Sequence, residues 1–192
     1  MNLHIDFKVF DVWSKPGMAR LVSISKVAIN DLLGWMLEQQ RSYQGGYTII
    51  VNDKPWNGCY DKAIDANQFF VDHIAGAESF LAAVGRLCNG VFETAGIWQV
   101  DSSAMALERV GLDRLLLSDD VYGLEEVEVD FTTFVTVFEQ TTRDYIQFLE
   151  LLQKSILKRL KEEKDIWLIK QQGHMKSEIK RWKRLRLLLE NE

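Results

Sequence analysis

This chain of 192 residues contains only three histidines, two cysteines and two prolines. Cys59 and Cys88 lie far apart and outside any CxxC spacing, and the histidines form no HxH, HxxxH or HExxH pair. Metal sites depend on such spacings. Phosphate-binding GxGxxG and GxxxxGK[ST] loops and the GxSxG nucleophile motif are also missing. We therefore expect no metal site and no cofactor.

Long apolar runs are missing as well. No stretch approaches the roughly 18–20 continuous apolar residues that a membrane span needs. The first residues, Met-Asn-Leu-His-Ile-Asp, lack the basic region and apolar run of a secretion signal. We therefore expect a cytoplasmic protein with reduced thiols. The composition, 47% hydrophobic and 27% charged, is typical of a globular core.

Positive charge is sparse in most of the chain and concentrated at its end. Residues 1–153 hold 11 Lys or Arg against 22 Asp or Glu, whereas residues 154–192 hold 12 against 6. This division predicts a single acidic domain over 1–165. It also predicts a basic helical appendage over 166–192 that packs on the domain.

Two patterns predict antiparallel strands. Alternation over Leu3–Val9, a turn at Lys15-Pro16-Gly17 and a returning strand over 20–25 predict an N-terminal hairpin. Extended runs at 91–100, 104–109 and 112–117 follow one another too closely for crossover helices, so they predict an antiparallel meander. Segment 27–40 fits a short helix or a strand.

Apolar residues at every third or fourth position predict three helices. The central helix is expected over 65–88 and a long helix from about residue 134 to 164, with Asp130 or Thr132 as its N-cap. A tail helix is expected over 175–189, separated from the long one by Gln171-Gln172-Gly173. The fold class is therefore α+β, with a mostly antiparallel sheet packed against helices.

Acidic residues cluster just before the long helix. Glu126, Glu128 and Asp130 alternate with Val127, Val129 and Phe131, which places three acids on one face of a strand. One interpretation is a solvated face that protects an edge strand from aggregation. The other is a docking surface for a basic partner protein. The candidate partner-binding residues are Asp119, Asp120, Glu126, Glu128 and Asp130.

The tail helix has the opposite charge. Six basic side chains surround its apolar stripe: Lys176, Lys180, Arg181, Lys183, Arg184 and Arg186. The helix could lie on an anionic membrane surface, contact nucleic acid, or pack its stripe on the acidic body. Because the acidic body repels polyanions and no strand interleaves basic with aromatic residues, we expect no nucleic acid partner. The stripe also allows a homo-oligomer to form through this helix.

Candidate catalytic residues are few. Cys59 lies in a loop just before a helical segment, and His73 follows Asp72 on the predicted central helix. His4 and Asp6 share the exposed face of the first strand, where contact with solvent accounts for them. We assign no catalytic residue, and an enzyme whose site is assembled from scattered residues stays an alternative.

The chain combines a hairpin, a central helix, a meander and a long C-terminal helix with an acidic body. This layout resembles that of small bacterial immunity proteins that neutralise toxins. The resemblance lies in layout and charge, and no motif carries it. It implies a non-enzymatic protein-binding module that covers a basic active site with an acidic surface. The alternatives are the enzyme described above and an assembly module that dimerises through its tail helix.

Overall fold

A computed structural model of the chain describes residues 2–11, 20–56, 73–74, 77–90, 94–98, 104–119 and 124–190. The strands in these residues are β1 (Leu3–Asp11), β2 (Arg20–Ser23), β3 (Gln44–Val51), β4 (Lys54–Pro55), β5 (His73–Ile74), β6 (Thr94–Trp98), β7 (Ala104–Val110), β8 (Arg114–Asp119) and β9 (Leu124–Asp130). The helices are α1 (Ile29–Gln39), α2 (Ala77–Cys88), α3 (Phe131–Glu162) and α4 (Ile166–Arg186), with 3₁₀ turns at Ile24–Lys26 and Leu187–Leu189.

The α+β prediction is confirmed, and the strands divide between two sheets. The first sheet has the order β2-β1-β3-β4, and β5 pairs with β3 in parallel. The second is the meander β6-β7-β8-β9, in which every neighbouring pair is antiparallel. Both the predicted hairpin and the predicted meander are therefore present.

The first sheet depends on a close approach of β1 and β3. Alternate residues of β1 (Leu3, Ile5, Phe7 and Val9) are buried, as their spacing predicts. Val9 pairs with Gly45, where a Cβ atom would collide with the carbonyl group of Lys8. Glycine at this position therefore permits the register of the two strands.

Helix α3 forms the support on which the other elements pack. Its N-cap is Asp130, whose Oδ1 accepts a hydrogen bond of 2.7 Å from the backbone N–H of Thr133, as predicted. Its buried face runs from Phe131 to Ile156 and contacts β1, α1, α4 and the second sheet. A single amphipathic helix thus joins both sheets to one core.

Helix α4 buries its apolar stripe against this core. The indole ring of Trp182 is 1% exposed, and its centroid lies 4.7 Å from that of Tyr145 and 5.9 Å from that of Phe7. Both contacts are edge-to-face, the geometry that the ring quadrupole favours. Leu168, Met175 and Ile179 are buried with it.

The predicted separation of α3 and α4 at Gln171–Gly173 is wrong, because those residues lie inside α4. The break falls at residues 163–165, where the side chain of Asp165 accepts a hydrogen bond of 2.9 Å from the backbone N–H of Leu168. Gln171 is buried and accepts a hydrogen bond of 3.0 Å from Ser42. A good N-cap and a tertiary contact therefore outweigh the low helix propensity of Gly173.

The predicted central helix over 65–88 is too long. Within the described residues the helix begins at Ala77, and His73 and Ile74 form β5 opposite Gln44 and Gly45. Pairing with β3 therefore determines the structure of residues 73–74, although the periodicity of the sequence predicts a helix there.

Buried hydrogen bonds join the side chains of Tyr43, Tyr145 and Glu178 in the core. Tyr145 Oη donates to Glu178 Oε1 at 3.0 Å and lies 2.5 Å from Tyr43 Oη. Since the proton of Tyr145 points to Glu178, Tyr43 is the donor in the shorter contact. Burial raises the pKa of Tyr145 well above its usual value, and the nearby Tyr43 and Glu178 add to the effect. Tyr145 therefore stays a neutral donor, which gives the buried carboxylate of α4 a partner on α3.

We expect Tyr145→Phe to lower the free energy of unfolding by about 1–3 kcal/mol, because it leaves the buried Glu178 without this donor. Glu178→Gln is the matched control. Its amide oxygen still accepts from Tyr145, so its loss should be smaller. Denaturant unfolding followed by circular dichroism measures both, and an unchanged midpoint for Tyr145→Phe would contradict this role for the hydroxyl group.

Candidate functional surface

The second sheet is buried on one face and open on the other. Leu107, Leu115, Leu117 and Val129 are buried against the helices. The open face consists of cross-strand rows of residues whose register pairs them directly: Glu108–Leu116–Glu128 and Val110–Arg114–Asp130. The acidic strand of the sequence therefore lies at the edge of an exposed sheet.

Three of the five predicted partner-binding residues have described, exposed side chains. Arg114 donates to both oxygens of Glu128, at 3.0 and 3.3 Å. Asp130 caps α3, and the hydrogen bonds from the side chain and backbone of Thr133 lower its pKa below the usual value. Glu126 makes no ion pair with the residues that the structure describes.

The remaining two predicted residues cannot be placed with the others. Asp119 pairs in register with Met105 and Leu124, but its side chain lies outside the described part of the chain. Asp120 lies outside the described residues altogether.

A β-bulge enlarges the acidic set beyond the sequence prediction. Leu117 pairs with Val127 and Asp119 with Leu124, so Glu125 and Glu126 together face one residue of β8. Both glutamates are exposed. The carbonyl oxygen of Glu125 accepts a hydrogen bond of 2.7 Å from the indole N–H of Trp56, which follows β4. Contact between the two sheets therefore holds the bulge in place.

The turn between β7 and β8 carries an apolar side chain that the sequence analysis missed. Leu112 was expected to begin a strand, but β8 begins at Arg114, and Leu112 stands in the turn with 81% of its surface exposed. Gly111 has φ = +72°. Glycine adopts this conformation readily, whereas β-branched and bulky residues avoid it, so Gly111 marks the turn in the sequence.

Arg109 and Asp113 fasten this turn to the core. The guanidinium of Arg109 donates to the carbonyl groups of Leu87, at 3.3 Å, and Leu112, at 3.2 Å. It also lies 4.2 Å from the ring centroid of Phe131. The carbonyl of Asp113 accepts a hydrogen bond of 2.8 Å from the N–H of Phe131. The backbone that carries Leu112 is therefore held on both sides.

The turn and the edge of β9 border an open hollow that we call the acidic depression. Its volume is about 680 Å³, and its lining consists of Val110, Gly111, Leu112, Asp113, Arg114, Glu128, Val129 and Asp130. Three carboxylates and one guanidinium surround an exposed leucine. In the described part of the chain, no group of three or more His, Cys, Asp or Glu could hold a metal ion.

The catalytic candidates of the sequence, Cys59 and His73, fall outside what the structure describes in full. Cys59 lies outside the described residues, and the side chain of His73 is not among the described side chains.

The basic tail contacts the acidic body: Arg181 pairs with Glu78, Lys183 with Glu150 at 2.5 Å, and Arg186 with Glu139 at 3.0 Å. Its apolar stripe is buried, so self-association through that stripe would require α4 to leave the core.

No protein-family model, curated protein or solved structure matches the chain. None of the helices in the described residues is long and apolar enough to cross a membrane.

Substitutions of Asp130 distinguish its role as the N-cap of α3 from the effect of its negative charge. Asparagine is as good an N-cap as aspartate, whereas alanine is poor, so Asp130→Ala should be less stable at neutral pH than Asp130→Asn. The stabilisation that follows from the lowered pKa of Asp130 is complete above the pKa of an unfolded aspartate. It is lost as the pH falls through the lower pKa of the folded state.

The wild-type protein should therefore lose stability in acid more steeply than Asp130→Asn, whose cap does not titrate. Denaturant unfolding of the three proteins across the acidic pH range measures the difference. Parallel stability curves for the wild type and Asp130→Asn would show that the carboxylate does not act through its charge.

Proposed function

We propose that this protein is a non-enzymatic binding protein that docks a basic partner protein on the acidic depression and the adjoining open sheet face. The observation that carries the proposal is the turn at Leu112. A fixed backbone there exposes an apolar side chain among carboxylates, in a hollow that a protruding side chain or loop of a partner can enter.

The distribution of charge supports a basic partner. Three cations of α4, Arg181, Lys183 and Arg186, pair with acids on α2 and α3, namely Glu78, Glu150 and Glu139. On the open sheet face, the described residues place one cation, Arg114, among Glu108, Glu126, Glu128 and Asp130. This face therefore keeps an excess of negative charge, which accelerates the encounter with a positively charged surface.

The rigidity of the turn supports docking at Leu112. A leucine with 81% exposure contributes little to the core, yet Arg109 and Asp113 hold the backbone beside it. Binding to a preformed turn loses less conformational entropy than binding to a flexible one. An apolar contact surrounded by charged groups is also the usual organisation of a protein interface.

Neutralisation of a toxin in the cytoplasm, as in immunity proteins, is the specific form of this proposal. In that form, the acidic surface would cover a basic active site and exclude its substrate. Inhibition of the captured partner's activity by the purified protein would test this form separately from docking itself.

Charge reversal tests the electrostatic part. Tagged protein is used to capture partners from the extract of its native cell at low and high salt, and association rates are then measured with the captured partner. Glu126→Lys should slow association on the order of tenfold at low salt and much less at high salt, because salt screens exposed charges. Glu38→Lys, at an exposed position of α1, makes the same change of charge away from the sheet. Equal effects of the two variants would overturn the assignment of the surface.

Truncation of the leucine tests the apolar part. Leu112→Ala should weaken binding by about 2 kcal/mol, since it removes the methine and the two methyl groups that contact the partner. This loss corresponds to a dissociation rate roughly thirtyfold faster, with little change in the association rate. The free energy of unfolding should stay close to that of the wild type, because the side chain is exposed. An unchanged dissociation rate would place the interface elsewhere.

A further inference from the structure

A second concave site lies between the first sheet and α3, away from the acidic depression. Strand β2 pairs only with the end of β1, from Lys8 to Asp11, and the chain then turns away through the 3₁₀ turn at Ile24–Lys26. Within the described residues, the earlier part of β1 therefore has no strand on that side. Helix α3 crosses there, and Thr141 Oγ1 donates to the carbonyl oxygen of Ile5 at 2.9 Å. Strand β1, the segment 24–29 and helix α3 border a cavity of about 610 Å³.

One side of this cavity is apolar. Ile24 and Val27 line it from the segment after β2, and Val137 and Leu151 line it from α3. Leu151 is 47% exposed, so the described residues leave part of this apolar surface uncovered. A cleft of this size with apolar walls is typical of small-molecule sites.

The polar side of the cavity carries negative charge. Its titratable side chains are Asp6, Asp144 and His4, and none of the described lining residues is Lys or Arg. Asp6 accepts a hydrogen bond of 2.7 Å from Ser23, and Asp144 accepts one of 2.9 Å from Gln140. Among the described residues, each carboxylate receives only this one side-chain donor. A carboxylate can accept about four hydrogen bonds, so both retain capacity for a cationic donor.

We propose that this cavity binds a small organic cation, an amine with an apolar body, whose ammonium group contacts Asp6 and Asp144 while its apolar part covers Val27, Val137 and Leu151. The site is separate from the acidic depression and does not depend on a protein partner. Charge complementarity selects the ammonium group, and the open apolar wall supplies the affinity.

Three ligands with nearly the same apolar body test the proposal: 4-phenylbutylamine, 4-phenylbutanol and 4-phenylbutyrate. Titration of the full chain, followed by amide and methyl NMR shifts, gives each dissociation constant and the location of the bound ligand. We expect the amine to shift the resonances of Val27, Val137 and Leu151. It should also bind about tenfold more tightly than the alcohol, with the carboxylate weakest of all, since hydrogen bonds to charged groups are the stronger class.

Asp144→Asn should weaken the amine about tenfold and leave the alcohol unchanged. Asp144 is exposed, so the variant should fold even if Asp6→Asn disturbs the contact with Ser23. Asp113→Asn, in the acidic depression, is the matched control and should leave amine binding unchanged. Equal affinities for the three ligands, shifts centred on the acidic depression, or unchanged amine affinity in Asp144→Asn would each overturn the proposal.

Discussion

The packing of α3 against both sheets is the constraint on which the rest of the molecule depends. Each sheet is small and has one face to bury, and neither packs chiefly on the other. The helix meets the first sheet through Phe138, whose ring lies 6.4 Å from that of Phe7. It meets the second at Phe131, directly after the cap that ends β9. Displacement of α3 would therefore expose the apolar faces of both sheets at once, which makes one helix the common support of the core.

The buried chain of hydroxyl groups links this core to the surface charge. Glu178 would be costly to bury without Tyr145, and Trp182 lies one turn further along the same face of α4. Together they fix the rotation of α4 about its axis. That rotation decides which acids the basic side chains can reach, so Arg181 and Arg186 meet α2 and α3. Core packing thereby determines which acids these two cations reach.

Sequence patterns predicted the elements whose period is strong and whose contacts are local. The alternation in β1, the short spacing of the meander and the Asp130 cap all act within a few residues, and the structure contains each of them. The β5 strand could not be predicted, because pairing with β3 requires residues far away in the sequence. The predicted break at Gln171–Gly173 is wrong because the N-cap at Asp165 and the buried contact of Gln171 outweigh the effect of the glycine. For the candidate surface, the sequence identified the acids of β9 but not the fixed turn. Arg109 holds this turn through contacts with Leu87 of α2, Leu112 of the turn and Phe131 of α3. Leu87 and Phe131 are distant from the turn in the sequence, so the sequence pattern does not show these contacts.

The two concave sites share a physical origin in the distribution of charge. The described lining of the cavity beside β1 contains no lysine or arginine, and that of the acidic depression contains Arg114 alone. Three cations of α4 pair with acids of α2 and α3, in an orientation that the buried contacts of Trp182 and Glu178 fix. Both hollows are thus left with unbalanced carboxylates next to apolar side chains. A hollow of this kind attracts a cation with an apolar portion, whether the cation is a residue of a protein or a free amine. The size of the opening and the rigidity of its walls then decide which of the two it accepts.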